Sequence, residues 1–264
     1  MRADILEAVV GREFAELVRN RLLLATILIP PIVLTIAPLV VGSLAQGSDR
    51  PVPESLLRQI LAQRPEWASF SQREIVAAFT IQQFLVYFLM MPAYIPLSIA
   101  TYSIIGEKTS RSLEAVLSTP IRTSELLAGK AIAALVPGLA AGWLTYAAFT
   151  ALARILYGPH LIGVVTDGSW LAGVFLMGPA IGLLSVVAGV IVSSRSSDPR
   201  TAQQIGGIII VPLVAFTILQ VSGTLIVDAT GYALAAAVTT IAALLGLRLG
   251  MTLFGRETIL TRWH

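Results

Sequence analysis

Gly106-Glu107-Lys108-Thr109-Ser110-Arg111-Ser112-Leu113-Glu114-Ala115-Val116-Leu117-Ser118-Thr119-Pro120-Ile121-Arg122-Thr123-Ser124-Glu125-Leu126-Leu127-Ala128-Gly129-Lys130 lies between two long apolar runs and carries seven charges. A charged side chain at the centre of a membrane helix costs roughly 2.5–3.5 kcal/mol. Residues 106–130 are therefore expected outside the hydrocarbon, with the flanking runs inside it. The segment also carries local structure. Leu113, Val116 and Leu117 fall at i, i+3 and i+4, which predicts a short helix with one apolar face. Pro120 ends it, having no N–H to donate. Thr123 or Ser124 can cap a new helix, with Glu125 in its first turn. An apolar helical face held just outside a membrane is suited to docking a soluble partner.

Composition agrees with a membrane protein. The chain is 56% hydrophobic and 12% charged, with mean hydropathy +0.82, against ~25% charged in a soluble domain. The predicted class is all-α, a single polytopic transmembrane domain over 1–264. Its 264 residues have room for about six spans of ~20 residues. The spans are predicted at 22–44, 75–105, 131–153, 170–192, 205–226 and 232–253. The first holds Pro30, Pro31 and Pro38, and the second Pro92 and Pro96, where kinks are expected.

Residues 1–21 precede the first span. Ile5, Leu6, Val9, Val10, Phe14, Leu17 and Val18 recur at helical spacing, with Asp4, Glu7, Arg12, Glu16 and Arg19 opposite. That predicts an amphipathic helix lying in the membrane interface. A cleaved signal peptide is not expected, because the lead is long and contains acids. Residues 45–74 form the longest polar connection, and Leu56, Leu57, Ile60 and Leu61 predict a short helix within it.

Charge sets the orientation. With the N-terminus inside, the inner segments carry thirteen of the 18 basic residues and the outer segments five. The positive-inside rule then puts both termini and the 106–130 loop in the cytoplasm. The pI of about 9.5 has the same origin. No basic stretch is interleaved with aromatics as single-strand binders require, so no nucleic-acid partner is expected.

Several chemistries are excluded. With no cysteine there is neither disulfide nor thiolate metal site. Gly129-Lys130 has the ending of a phosphate-binding loop, but position 124 is serine and Ala131 lacks the hydroxyl that would hold magnesium. No hydrolase or metalloprotease motif occurs, and His160 and His264 lie too far apart to suggest a metal site. No catalytic residue, metal or cofactor is assigned to this chain, and the spans show no acid suited to a proton relay. Gly138-x-x-x-Gly142, Gly178-x-x-x-Gly182 and Gly246-x-x-x-Gly250 are read as internal packing.

The spacing Glu107-(x)6-Glu114-(x)2-Leu117-Ser118-Thr119-Pro120-(x)4-Glu125-Leu126-Leu127-x-Gly129-Lys130 resembles the cytoplasmic loop of ABC-2 type transporter permeases, the membrane subunits of many ABC exporters. Arg12-Glu13-(x)5-Arg19-Asn20-Arg21 and Phe254-Gly255-Arg256-Glu257 fit the same family. The resemblance implies that this loop carries a coupling helix seated in a groove on an ATP-binding subunit. Carried over, the coupling residues are Glu107, Arg111, Leu113, Glu114, Val116, Leu117 and Pro120. It further implies two ATP-binding subunits holding ATP and magnesium, a second copy of the chain or a related permease, and a place in the cell (inner) membrane among its lipids. The chain itself is then no enzyme. In this superfamily the second and fifth spans meet near the dimer axis. Gln83, Tyr87, Tyr94 and Ser98, which nearly stripe one side of the second span, and Gln220 on the fifth, are then candidates for the translocation path. Two other functions compete: a secondary transporter, weakened by the missing intramembrane charges and inverted repeat, and a non-transporting scaffold or assembly factor. A neighbouring reading frame with a phosphate-binding loop favours the first reading alone.

Overall fold

The computed structural model describes residues 3–47, 52–110, 123–196, 198–221 and 227–253. Every regular element among them is helical: α1 (Ala3–Arg19), α2 (Arg21–Gln46), α3 (Glu54–Gln63), a 3-10 turn (Pro65–Ser69), α4 (Gln72–Thr109), α5 (Thr123–Val165), α6 (Gly168–Ala172), a π turn (Gly173–Met177), α7 (Gly178–Arg195), α8 (Pro199–Gly206), a 3-10 turn (Gly207–Ile209), α9 (Ile210–Val221) and α10 (Ala229–Leu253).

Five stretches among the described residues are long and apolar enough to cross a membrane. They correspond to the expected first, second, third, fourth and sixth spans. The expected fifth, 205–226, is made of the end of α8, the 3-10 turn and α9. Its α9 portion has 12 residues, about 18 Å of helix, and 222–226 lie outside the described residues.

α4 is the axis of the fold. In its most apolar window 78% of residues are buried, against 17% in α2 and in α10. α2, α5, α7 and α9 pack around it. Its start is fixed by a capping box: the Ser71 hydroxyl accepts from the Glu74 N–H, and the Glu74 carboxylate accepts from the Ser71 N–H at 2.8 Å. At 38 residues the helix is about 57 Å long, well beyond the ~30 Å hydrocarbon core. It therefore reaches Thr109. Glu107, expected on a polar loop, is a helical residue instead. At the other side of the loop α5 begins at Thr123 with Glu125 in its first turn.

Pro92 and Pro96 remain inside α4, and small residues fit against them. A methyl group on Gly138 of α5 would lie 2.5 Å from Pro96 Cγ, and one on Gly182 of α7 would lie 3.4 Å from the Pro92 carbonyl oxygen. A methyl on Gly246 of α10 would lie 2.9 Å from Val187 Cγ1. These close approaches match the reading of the glycine pairs as internal packing.

The end of the bundle that carries α3 differs from expectation. The third span was expected to stop at 153, yet helix continues to Tyr157 and resumes after Gly158 as far as Val165. Gly158 has φ 72° and ψ −170°, a backbone conformation that a side chain disfavours, so the chain turns there. The helix predicted from Leu56, Leu57, Ile60 and Leu61 is α3. Its Ile60 packs with Trp67, Ile75, Ala78, Leu161 and Val164. Arg64 clasps the two connections at this end, 3.2 Å from Asp167 and with its guanidinium carbon 5.7 Å from the Trp67 ring centroid. Asp167 also caps α6 through the Trp170 N–H.

Two polar side chains of the packed core find partners, while the Ser98, Thr101, Thr150 and Ser185 hydroxyls have none. Trp170 Nε1 donates to Gln82 Oε1 at 2.9 Å, and the Tyr146 hydroxyl donates to the Val165 carbonyl at 2.7 Å. Both sit in an aromatic cluster with Phe88 and Phe149. At the opposite end, the Asp198 carboxylate accepts from the Thr201 N–H and hydroxyl, each at 2.9 Å, and starts α8. Those bonds hold its pKa below the usual carboxylate range.

Candidate coupling site

α1 packs on α5, and α5 packs on α4, with Lys130 near the start of α5 beside Glu13 of α1 and Glu107 near the end of α4. The three helices converge where α4 ends at Thr109 and α5 begins at Thr123. Lys130, one turn into α5 past Glu125, points inward and is 3% exposed. Its ammonium lies 2.6 Å from Glu13 Oε1, 2.6 Å from Ser103 Oγ and 2.9 Å from Glu107 Oε2. Ser103 donates in turn to Glu13 Oε2 at 2.6 Å. Arg12 closes the set, 3.2 Å from Glu107 Oε1 and bonded to Glu16 on its own helix at 3.0 Å.

The two buried carboxylates, Glu13 and Glu107, are balanced by the two cations, and Glu16 is exposed. Balance is required, because an unpaired buried charge costs several kcal/mol. The partners are not equally held. Lys130 donates aligned hydrogen bonds to Glu13 and Ser103. Neither Glu107 oxygen has an aligned hydrogen bond, although two cations lie within 3.2 Å. Glu107 is thus held by charge rather than by directional bonding, the arrangement with less resistance to a small shift. Burial works against the Arg12 charge, but Glu16, Glu107 and Glu13 more than reverse it, and its pKa rises above the ordinary guanidinium value.

A second tie lies beside the cluster. Lys108, the neighbour of Glu107, donates to the Ser194 and Ser196 carbonyls at 3.4 and 3.2 Å. A lysine at those orphan carbonyls also complements the C-terminal dipole of α7.

The expected coupling residues divide. Glu107 lies in the ion cluster at 3% exposure, turned toward its own chain. Arg111, Leu113, Glu114, Val116, Leu117 and Pro120 lie outside the described residues. The expected path stripe also divides. Tyr87 and Tyr94 are 39% and 37% exposed, and Gln83 is half-buried. Ser98 is fully buried and its hydroxyl has no partner. Gly189 of α7 and Gly206 of α8 pack on α4 beside Leu97, next to Ser98. Gln220 falls on α9, and its side chain lies outside the description.

Glu13, Ser103 and Lys130 were not singled out as site residues from the sequence. A signal was present for Glu13. It lies at i+3 from Val10 and i−4 from Leu17, inside the apolar stripe of α1. Glu13, Glu107 and Glu125 are all buried, although the sequence placed them in polar segments outside the spans. Glu107 and Glu125 belong to helices that run past the boundaries their charges suggested, and Glu13 belongs to α1.

A family profile described as ABC-2 family transporter protein matches residues 48–242, more than half of the chain. The chain belongs to the ABC-2 transporter family. No curated relative matches it. As an ABC-2 permease it is a multi-pass membrane component of an ABC transporter, a system that includes an ATP-binding partner. The ion cluster draws one residue pair from outside the matched region, Arg12-Glu13, and two residues from inside it, Glu107 and Lys130.

Proposed function

We propose that this permease forms the translocation pathway of an ATP-driven exporter, as a dimer with a second copy or a related chain, and is driven by two separate ATP-binding subunits docked on residues 107–120. ATP and magnesium bind in those subunits. Both termini and the docking segment lie in the cytoplasm, and α1 lies along the inner membrane surface. The observation that carries the reading is the ion cluster. Glu107 and Lys130 stand at the two roots of the docking segment, and both are tied to Glu13 or Arg12 on α1. A push on the segment cannot move α4 without α5 and α1, because separating the charges would leave them buried and unpaired. Closure of the ATPases thus rocks three helices together. Tyr87, Tyr94 and Gln83 line the outer part of the path, with Ser98 and Gln220 as its candidate inner members.

Co-expression with an ATP-binding subunit tests the function. The permease is expected to retain that subunit on purification, and the complex to hydrolyse ATP. The permease alone is expected to hydrolyse none. Hydrolysis that persists after every ATP-binding protein has been stripped away would sink the reading.

Orientation has its own test in a chain without cysteine. Ser48→Cys is expected to react with an impermeant maleimide added to intact cells, and Ser196→Cys only after the membrane is opened. Labelling of position 196 from outside reverses the assignment.

A further inference from the structure

α2 and α5 do not close on one another along their whole length. Their outer ends meet, where the Tyr157 hydroxyl donates to the Leu39 carbonyl and lies 3.2 Å from Ser43. Below that contact they leave a groove of about 630 Å³. Leu28 and Ile32 form one wall, and Pro137, Leu144, Ala148 and Leu152 form the other. Residues 137 to 152 span about 22 Å of helix, more than the ~15 Å hydrocarbon depth of one leaflet.

The groove offers nothing to a polar ligand. Its two hydroxyls are turned back into their own helices. Thr35 donates to the Pro31 carbonyl at 2.7 Å, and Thr145 donates to the Ala141 carbonyl at 2.6 Å. Two arginines precede it in the chain. Arg21 opens α2 exactly one heptad below Leu28, on the same helical stripe, and Arg19 ends α1 two residues earlier. Both arginines are exposed. An apolar slot preceded by two arginines matches one molecule in both of its parts, since basic residues at a membrane face attract anionic lipid head groups.

We propose that the α2–α5 groove holds one acyl chain of an anionic phospholipid as a resident lipid, with the phosphate at Arg19 and Arg21. The apolar tail fills a space that water cannot wet favourably, and the head group neutralises a cationic edge. The leaflet, the cytoplasmic one, rests on the orientation proposed above; the site itself does not. Lys130 lies seven residues below Pro137 on α5, about 10 Å along the helix, so the groove begins about two turns above the ion cluster.

The full chain, without any ATP-binding partner, is reconstituted in vesicles of equal phosphatidylglycerol and phosphatidylcholine with identical acyl chains. It is then extracted in mild detergent, and retained lipid is counted by mass spectrometry. A preference of roughly thirtyfold for phosphatidylglycerol is expected, about fivefold from each arginine. Arg19→Gln with Arg21→Gln is expected to bring the two lipids to parity. Ala148→Trp, which fills the groove, is expected to lose the tightly held lipid of both kinds. Equal retention by the unaltered chain overturns the proposal. So does undiminished phosphatidylglycerol on the Ala148→Trp chain, and so does a change in that chain's oligomeric state with lipid retention intact, which would make the groove a protein contact. Should Ala148→Trp fail to fold, the two exposed arginine changes decide the question. Retention of the ATP-binding subunit tests the exporter reading separately, and neither result depends on the other.

Discussion

Lys130→Met is expected to lower the stability of the isolated permease by about 3–5 kcal/mol, the loss typical when one partner of a buried ion pair is removed. The methionine fits the lysine's path through the bundle, so the loss comes from charge rather than volume. Glu13 and Glu107, both buried, are left with only the half-exposed Arg12 as a counter-ion. Thermal melting of the purified chain in detergent is the measurement. Adding Glu107→Gln should recover part of the loss, because one of the two stranded charges is then gone. A Lys130→Met chain that melts like the parent would show that the cluster is not stabilised by its charges. The same variant bears on coupling. If the cluster transmits movement, the double variant should still bind the ATP-binding subunit and hydrolyse ATP while transport falls. Transport that recovers fully with stability would reduce the cluster to a structural role.

Leu113→Asp or Leu117→Asp is expected to weaken binding of the ATP-binding subunit by about tenfold to a hundredfold or more. Burying one large aliphatic side chain contributes roughly 1.5–3 kcal/mol, and each 1.4 kcal/mol is tenfold in affinity. Membrane insertion should be unaffected, since the segment is too polar to lie in hydrocarbon. Glu114→Lys should act in the same direction but less strongly, if it faces a basic groove. A competing outcome is that this face packs on the permease's own spans. Pull-down of the ATP-binding subunit and melting of the isolated permease, measured on the same variants, separate the two. Normal pull-down with a lowered melting point would end the docking proposal.

The sequence by itself determined that the chain is a helical membrane protein. Runs such as 75–105 and 131–153 carry no charged residue, and no soluble fold buries that many such helices at 12% charge. It also determined the short outer helix, through the spacing of Leu56, Leu57, Ile60 and Leu61, and the family, through the order of Glu, Pro and Gly-Lys around 107–130. These are local properties: periodicity, hydropathy and motif order are read along one segment at a time.

Only the tertiary structure decided what the charges at the helix ends do. Hydropathy marks Glu107 and Lys130 as the start and end of a polar loop, because each carries a charge. In the folded chain α4 runs on to Thr109 and α5 starts at Thr123, so both are helical and both are buried. What makes that burial tolerable is Arg12 and Glu13, about a hundred residues away, and no local pattern announces a partner at that distance. The same holds for the path stripe. Gln83 to Ser98 share one face of α4, but which part of that face stays open was decided by where α7 and α8 crossed it. A helix's own sequence sets which faces are polar; the helices packed against it set which of those faces meet water, lipid or another charge.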